Sequence, residues 1–324
     1  MTVAKTLKTL LLAGIATGAL SAGALADVTL KLGHPANEQN TWHLASVKFA
    51  EEVAARTDGE VTVEVYPNET LGKEMDIING MQLGTADMTI TGESLQNWAP
   101  MAALLAIPYA YSSLEDMDAV ASGELGDRIE AEIIEKVGIR PIAYFARGPR
   151  DLTSNRPITS PDDLDGLKMR VPNVPLFLNV WKALGANPTP MAFSEVFTSL
   201  QNGTIEAQEN PLALIKSANF NEVQGYVNKT EHVRSWIYLT ISELSWEKLT
   251  EEQQAAVMEA AKVAQDYERE LFTAQEAELV DELTAAGMEF VDVDGEAFAA
   301  AAKDAVLASV SDEIKPDVEA LFAD

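Results

Sequence analysis

Residues 28–65 read VTLKLGHPANEQNTWHLASVKFAEEVAARTDGEVTVEV, and this stretch decides the fold. Residues 28–33 alternate apolar and polar side chains, the period of a half-buried strand. Asn40 is placed to cap a helix running to about Arg56, on which Trp42, Ala45, Phe49 and Val53 fall on one face. Thr57, Asp58 and Gly59 end that helix. A second alternating strand follows over 61–65 and stops at Pro67. Strand, helix, strand in this order is a parallel βαβ unit. Such units present ligands beyond the carboxyl ends of their strands. Here those ends are Gly33-His34-Pro35 and Tyr66-Pro67-Asn68.

The pattern continues on both sides of a change of unit. A helix is expected over 74–83, a strand over 88–91 and a third strand-end loop at Gly92-Glu93-Ser94. Residues 102–111 are apolar and read as core. Residues 114–137 read as helix with a break at Gly123, and 140–145 as strand. A second α/β unit then begins. Ser160 reads as a helix N-cap, with Pro161 at the first helical position and Asp162 and Asp163 in the first turn. Strands are expected at 167–171, 205–208 and 236–241, and helices at 176–184 and 194–201. Residues 246–286 contain no Gly or Pro, and Thr250 and Gln253 fit a capping box. They read as one helix of up to about 36 residues, or ~54 Å, too long for one small domain to cover. Two helices joined without a turn signal is the plainer alternative. A short strand over 288–293 and an Ala-rich helix close the chain.

Between the two units lies a concentration of arginine. Four of the nine arginines, Arg147, Arg150, Arg156 and Arg170, fall between residues 147 and 170 of an otherwise acidic chain. A guanidinium is the side chain best shaped to hold a carboxylate by two parallel hydrogen bonds. The working expectation is a pocket for a small organic anion. Arg170 sits between Met169 and Val171 on an apolar strand, so it is either paired internally or pointed into a cleft. Chemistry alone leaves both open. Arg150 follows Gly148-Pro149 and reads equally as a site residue or a surface loop. Asn210 reads as a crevice amide or a turn residue, and Phe193 as a pocket wall or core. Arg147 and Arg156 have no comparable claim.

Composition narrows the function. The 324 residues suffice for two domains. The net charge of −28 disfavours nucleic acid and anionic membrane surfaces. There is no cysteine, which excludes disulfides, thiolate nucleophiles and Cys-type zinc sites. At the N-terminus, Lys5 and Lys8 precede an apolar run from Leu10 to Leu20 and an Ala24-Leu25-Ala26 cleavage pattern. Residues 1–26 therefore read as a signal peptide, with a membrane anchor as the alternative that the shortness of the run disfavours. The periplasm is the expected compartment. His34, His43 and His232 show no zinc-binding spacing, and no nucleophile elbow, P-loop or dinucleotide fingerprint is present. No enzymatic activity, metal or cofactor is expected.

The segments SNRPITSPDDLDGLKMRVPN (154–173) and GANPTPMAFSEVFTSLQNGTIEAQENP (185–211) resemble the extracytoplasmic substrate-binding subunits of tripartite ATP-independent periplasmic (TRAP) transporters. The resemblance extends from LKLGH (30–34) through YPNETLG (66–72) to the C-terminal helix. It implies an α/β fold of two domains that close like a clamshell, with a long helix across both. The domains are expected at 27–147 plus 236–275 and at 148–235 plus 276–324. By the same resemblance Arg170 pairs with a ligand carboxylate, Asn210 supports it, Arg150 is a second carboxylate contact and Phe193 forms an aromatic wall. Glu93 and Glu74 fall near first-domain positions that touch ligand hydroxyl and amino groups in sialic-acid-binding members. Pro35, in GHPAN, stands where those members place asparagine. That departure moves the expected polar contact to His34 or Asn37 and argues against sialic acid.

The expected function is high-affinity binding of a sugar acid, such as a hexuronate-like monocarboxylate, and its delivery to the transporter's membrane subunits by a monomeric protein. Carboxylates in the first-domain loops would accept hydrogen bonds from hydroxyls but repel a second carboxylate. Sialic acid, another monocarboxylate or a C4-dicarboxylate are alternative ligands. A ligand sensor and a periplasmic sugar-acid lyase or hydrolase are the rival classes.

Overall fold

A computed structural model describes residues 28–323; the expected signal peptide, 1–26, lies outside the described residues. The βαβ reading of the opening stretch holds. Strand β1 (Val28–Gly33) pairs in parallel with β2 (Val61–Tyr66). The helix between them, Thr41–Arg56, is capped by Asn40, whose side chain accepts the Trp42 amide. Trp42, Ala45, Phe49 and Val53 are all buried, as the spacing of one helix face requires. Strand β3 (Met88–Thr91) lies on the other side of β1, also parallel, and β4 (Ile139–Phe145) completes the first passage.

The chain then crosses through residues 146–149 into a second sheet. This contains β5 (Arg150–Ser154), β6 (Lys168–Val171), β7 (Asn187–Pro190), β8 (Ala207–Pro211) and β9 (Tyr226–Val233). It returns through residues 234–236 as β10 (Ile237–Ser242), which enters the first sheet antiparallel between β3 and β4. The last strand, β11 (Glu289–Val291), joins the second sheet beside β9. The strand orders are β2-β1-β3-β10-β4 and β11-β9-β5-β8-β6-β7. Each sheet thus belongs to one lobe, and the fold is a two-domain α/β protein.

Several boundaries differ from the sequence reading. Residues 246–286 do not form one helix. Glu251–Glu276 is helical over 26 residues, opened by the Thr250–Gln253 capping box, and Leu279–Ala285 is a separate helix after a bend at Ala277 and Glu278. No Gly or Pro marks that bend. The longer helix, about 39 Å at 1.5 Å per residue, still reaches both lobes. It packs on the Thr41–Arg56 helix and β4, and Phe272, Gln275 and Glu276 near its end line a small void together with Pro211, Ala213 and Leu214. Strand β8 runs from Ala207 to Pro211 rather than over 205–208, so Glu209 and Asn210 lie within it.

Three strands escape the sequence pattern altogether. Strand β7 contains Pro188 and Pro190 and is tolerated because it is an edge strand. Strands β5 and β9 bury polar side chains where the pattern looks for apolar ones. Buried Asn228 shows why this is stable. It donates to the Leu152 carbonyl and to Ser154, and it accepts the Ile158 amide, so no polar group is stranded.

The crossing is pinned by Glu268 of the long helix. Its fully buried carboxyl accepts from the Thr41 hydroxyl and from the Ala146 amide, each at 2.9 Å. Burial pushes its pKa up to about 7. The unfolded chain releases this proton near pH 4.3, so between about pH 4.5 and 7 the folded form holds more protons. Stability from this group therefore falls as pH rises through that window and stays lower above it, by roughly 3 kcal/mol. Glu268→Gln removes the titration. Its melting temperature is expected to vary less between pH 5 and pH 8 than that of the wild type, as read by scanning fluorimetry.

Candidate ligand-binding cleft

Between the lobes lies a cavity of about 120 Å³ at the carboxyl ends of β1, β3, β6 and β8. The first lobe contributes Pro35, Trp42, Glu69, Lys73, Glu74 and Glu93 among its walls, and the second Arg150, Arg170, Asn173, Phe193 and Asn210. Contacts between the lobes ring it. Lys73 pairs with Glu195 at 2.9 Å, and the Ser194 amide donates to Glu69 at 3.0 Å. Asn97 donates to the Asn173 carbonyl at 2.8 Å, and the Leu176 amide donates to Gln96 at 3.1 Å. Both lobes have come together over the cavity.

The arginines in the cavity differ in their partners. Arg150 is buried and donates to Glu209 from Nε at 2.5 Å and from Nη2 at 2.8 Å, with Glu93 3.6 Å from its Nη1. Burial opposes its charge, but the Glu209 and Glu93 carboxylates outweigh that and raise its pKa. Glu209 is buried too, yet Arg150 and His232 hold its pKa down at about 2. His232 touches Glu209 at 2.9 Å, and burial lowers its own pKa. Arg147 pairs with Glu93 and donates to the Ser235 hydroxyl at 2.8 Å. Desolvation raises the Glu93 pKa, but Arg147 and Arg150 reverse the sign and keep it ionised.

Arg170 is different. It is 4% exposed, and among the described residues no carboxylate pairs with it. Its Nε donates to the Met191 carbonyl at 2.9 Å, and its guanidinium carbon stands 6.0 Å over the Phe193 ring. Burial lowers its pKa to about 10, which still leaves it charged at neutral pH. Asn210 lies in the same wall, its Oδ1 3.3 Å from Arg150 Nη2 and its Nδ2 2.5 Å from Gln208 Oε1. Across the cavity, Glu74 accepts from the Thr91 hydroxyl at 2.7 Å and from the Ser94 hydroxyl at 3.1 Å. Burial raises its pKa, with a further push from Glu93.

A family model described as bacterial extracellular solute-binding protein, family 7, matches residues 32–313. The chain belongs to that family. A solute-binding protein of Roseobacter denitrificans is 71% identical over 310 residues, covering 96% of this chain and 95% of its own. The crystal structure of that TRAP periplasmic solute-binding protein, with bound L-galactonate, superposes with a TM-score of 0.91 at 73% identity over 92% of this chain and 99% of its own. The 2,3-diketo-L-gulonate-binding periplasmic protein of Escherichia coli is 35% identical over 89% of this chain and 88% of its own. A Haemophilus influenzae TRAP solute-binding protein with bound L-gulonate superposes with a TM-score of 0.85 at 33% identity over 91% of this chain and 99% of its own. This family 7 chain is accordingly a binding protein and not an enzyme. Its family is extracytoplasmic, takes small acids and works with membrane subunits. Among the described residues no helix is long and apolar enough to cross a membrane.

Of the residues singled out in the sequence, the structure brings Arg170, Arg150, Asn210, Phe193, Glu93 and Glu74 together around the cavity. It keeps His34 and Asn37 out of the lining. His34 turns back onto the first helix, where its Nε2 lies 3.2 Å from His43 Nδ1, and burial lowers its pKa to about 3. Asn37 donates to the Ser217 carbonyl of the other lobe at 2.9 Å. Arg156 is exposed and bonds the Asp163 carbonyl. Arg147, which had no claim in the sequence, lines the cavity. The signal for it was its place in the same RGPR run as Arg150. Glu209 and His232 were also missed. A buried counter-charge for Arg150 had to exist, but sequence could not say which acid of 51 it was.

The pairings separate arginines that hold the fold from one that does not. Glu209→Gln leaves Arg150 short of its main counter-charge. In urea unfolding of the ligand-free protein it is expected to cost about 3–5 kcal/mol. Arg170→Ala removes a buried charge that has no acidic partner, and the same assay is expected to show stability unchanged or raised, because the relieved desolvation offsets the one hydrogen bond lost, worth about 1 kcal/mol.

Proposed function

We propose that this chain captures a sugar acid, an aldonate such as L-galactonate, and hands it to the membrane subunits of a TRAP transporter. One observation carries the reading. Arg170 is a buried guanidinium that faces the cavity, without an acid to neutralise it. Within the buried wall Arg147 and Arg150 are offset by Glu93 and Glu209, so one positive charge remains for one carboxylate. Arg170 takes that carboxylate through its free guanidinium nitrogens, Asn210 and Arg150 border the same place, and Phe193 backs it.

The opposite wall selects the rest of the ligand. Glu74, Glu69 and Asp76 line it. Carboxyl oxygens there accept hydrogen bonds from hydroxyl groups and repel a second carboxylate. That favours a polyhydroxylated monoacid over a C4-dicarboxylate. The relatives that bind L-galactonate and L-gulonate point to the same class. The closing lobes on this reading are 27–147 plus 236–275 and 148–235 plus 276–324. Ligand entry requires the ring of contacts between Lys73, Glu69, Asn97 and Gln96 and the second lobe to part, and closure then excludes water. Residues 1–26 act as the export signal that brings the protein to the periplasm. A net charge of −28 repels other copies, and the protein works as a monomer.

A thermal-shift panel tests the ligand class. L-galactonate, L-gulonate or D-galacturonate at about 100 times Kd contributes ~2.7 kcal/mol, which raises the melting temperature by roughly 4 °C. Succinate and malate are expected to give no shift; stabilisation by these and by no sugar acid refutes the reading. In calorimetry, Arg170→Ala is expected to weaken binding by ~2–5 kcal/mol, and wild-type affinity in that variant would put the anchor elsewhere.

A further inference from the structure

The helix Pro175–Ala183 of the second lobe begins without a cap of its own. Val174 stands at its N-cap position, and a valine side chain has no acceptor to offer. Pro175, in first position, has no N–H. The Leu178 amide donates to the Val174 carbonyl at 3.1 Å, which leaves the Leu176 amide as a donor with no partner inside the helix. Leu176 is only 2% exposed. A buried backbone N–H left unpaired costs about as much as a lost hydrogen bond, so this amide needs an acceptor from elsewhere.

The acceptor comes from the other lobe. Gln96 Oε1 accepts the Leu176 amide at 3.1 Å, and Gln96 Nε2 donates to the Glu93 carbonyl at 2.9 Å, which holds the side-chain amide in that orientation. Gln96 belongs to a short turn of 3-10 helix, Glu93–Asn97, that follows β3 and is tied to the first lobe where the Ser94 hydroxyl donates to Glu74. The helix it caps follows β6 and packs on β7 and on the helix Gly295–Ser309, all in the second lobe. Gln96 falls within 27–147 and Leu176 within 148–235, so this hydrogen bond exists only where the two lobes touch. Asn97, the next residue, spans the same joint to the Asn173 carbonyl. The arrangement recurs at a second helix start. Ala192 stands at the N-cap position of the turn that begins at Phe193, again with no side-chain cap, and Glu69 of the first lobe accepts the Ser194 amide at 3.0 Å.

We propose that Gln96 is a positioning residue for ligand capture: it caps the Pro175–Ala183 helix from the opposite lobe, so that closing over the ligand satisfies an amide the second lobe leaves without a partner. Gln96 lies outside the cavity lining, whereas Pro172 and Asn173, just ahead of the capped turn, lie within it beside Arg170. Fixing the first turn of the helix therefore also fixes the wall that carries the anchor. With the lobes apart the Leu176 amide bonds water; with the lobes together Gln96 takes the place of that water. The inference rests on the reading of the cleft as a sugar-acid site that closes over its ligand.

Gln96→Met keeps the length of the side chain and removes the acceptor. It is expected to bind L-galactonate about fivefold more weakly, with the change in koff and not in kon. Its ligand-free melting temperature should stay within about 2 °C of wild type. Gln96→Glu restores an acceptor at a helix N-terminus, where a carboxylate is favoured, and is expected to bind within about twofold of wild type. Hydrogen exchange reads the contact itself: saturating L-galactonate should slow exchange of the Leu176 amide in wild type and in Gln96→Glu, and much less in Gln96→Met. Wild-type affinity in Gln96→Met, or a Gln96→Glu protein as weak as Gln96→Met, overturns the cap while leaving the ligand assignment intact. A Gln96→Met protein that melts far below wild type without ligand also overturns it, since the contact then serves the open form as well. Small-angle scattering that finds wild type equally compact with and without L-galactonate does the same. Wild-type protein that binds neither L-galactonate nor D-galacturonate overturns the reading of the cleft and this inference with it.

Discussion

A guanidinium buried without a counter-charge is expensive. Taking an ion out of water costs several kcal/mol even after relaxation, and a folded domain has only about 5–15 kcal/mol in reserve. Arg170 nonetheless sits almost wholly buried with one hydrogen bond, to the Met191 carbonyl. Its neighbours Arg147 and Arg150 are each matched to an acid. Much of the second lobe can be understood as the means of keeping Arg170 charged and aimed. Strand β6 holds its backbone in the sheet, Phe193 backs its guanidinium, and Glu209 contributes a negative field from a distance while remaining committed to Arg150.

The interleaving of the lobes follows from the same need for a site that opens and shuts without losing its shape. Each lobe receives strands from both halves of the chain, because β10 returns to the first sheet and β11 to the second. The lobes are therefore joined by two short crossings and one helix, and not by a single flexible linker. Residues 146–149 and 234–236 run side by side, tied where Arg147 donates to Ser235. A joint of this kind permits rotation and resists separation. The acceptors and donors of the rim, such as Asn97 and Gln96, meet backbone groups of the opposite lobe, so closure places polar groups in register without requiring large apolar surface.

The parts of this arrangement differed in how clearly they could be read beforehand. The first lobe was legible because Val28–Gly33, the helix after Asn40 and Val61–Tyr66 obey simple periods and carry their own stop signals. Arg170 was legible as an anomaly, a charge on an apolar strand, though its two explanations had the same sequence signature. What separates them is whether a carboxylate stands opposite, and that is a fact of tertiary structure. Glu209 and His232 were hidden for this reason, as were β5 and β9, whose buried Thr153, Asn228 and Thr230 look like surface residues until their partners are placed. The bend after Glu276 was hidden for another. Helix-forming residues continue through it, and packing of Leu279 and Leu283 into the second lobe ends the helix, not a local signal. His34 and Asn37 show the limit of strand-end reasoning. Both sit at the end of β1, yet a half-turn of chain directs one to His43 and the other across to Ser217.

The acidity of the chain opposes the approach of an anion, since a surface of net charge −28 repels it. Screening decides the matter. At physiological ionic strength the Debye length is about 8 Å, so exposed carboxylates on the outer helices exert little force on an anion at the cleft mouth. Inside, the medium is less polarisable than water and charges act more strongly. There the nearest groups dominate, and the deep wall carries Arg170 with Arg147 and Arg150 neutralised. The mouth carries Lys73, which pairs with Glu195 across the lobes at 2.9 Å, so its charge is committed to the rim and the guanidinium of Arg170 is the cation left inside.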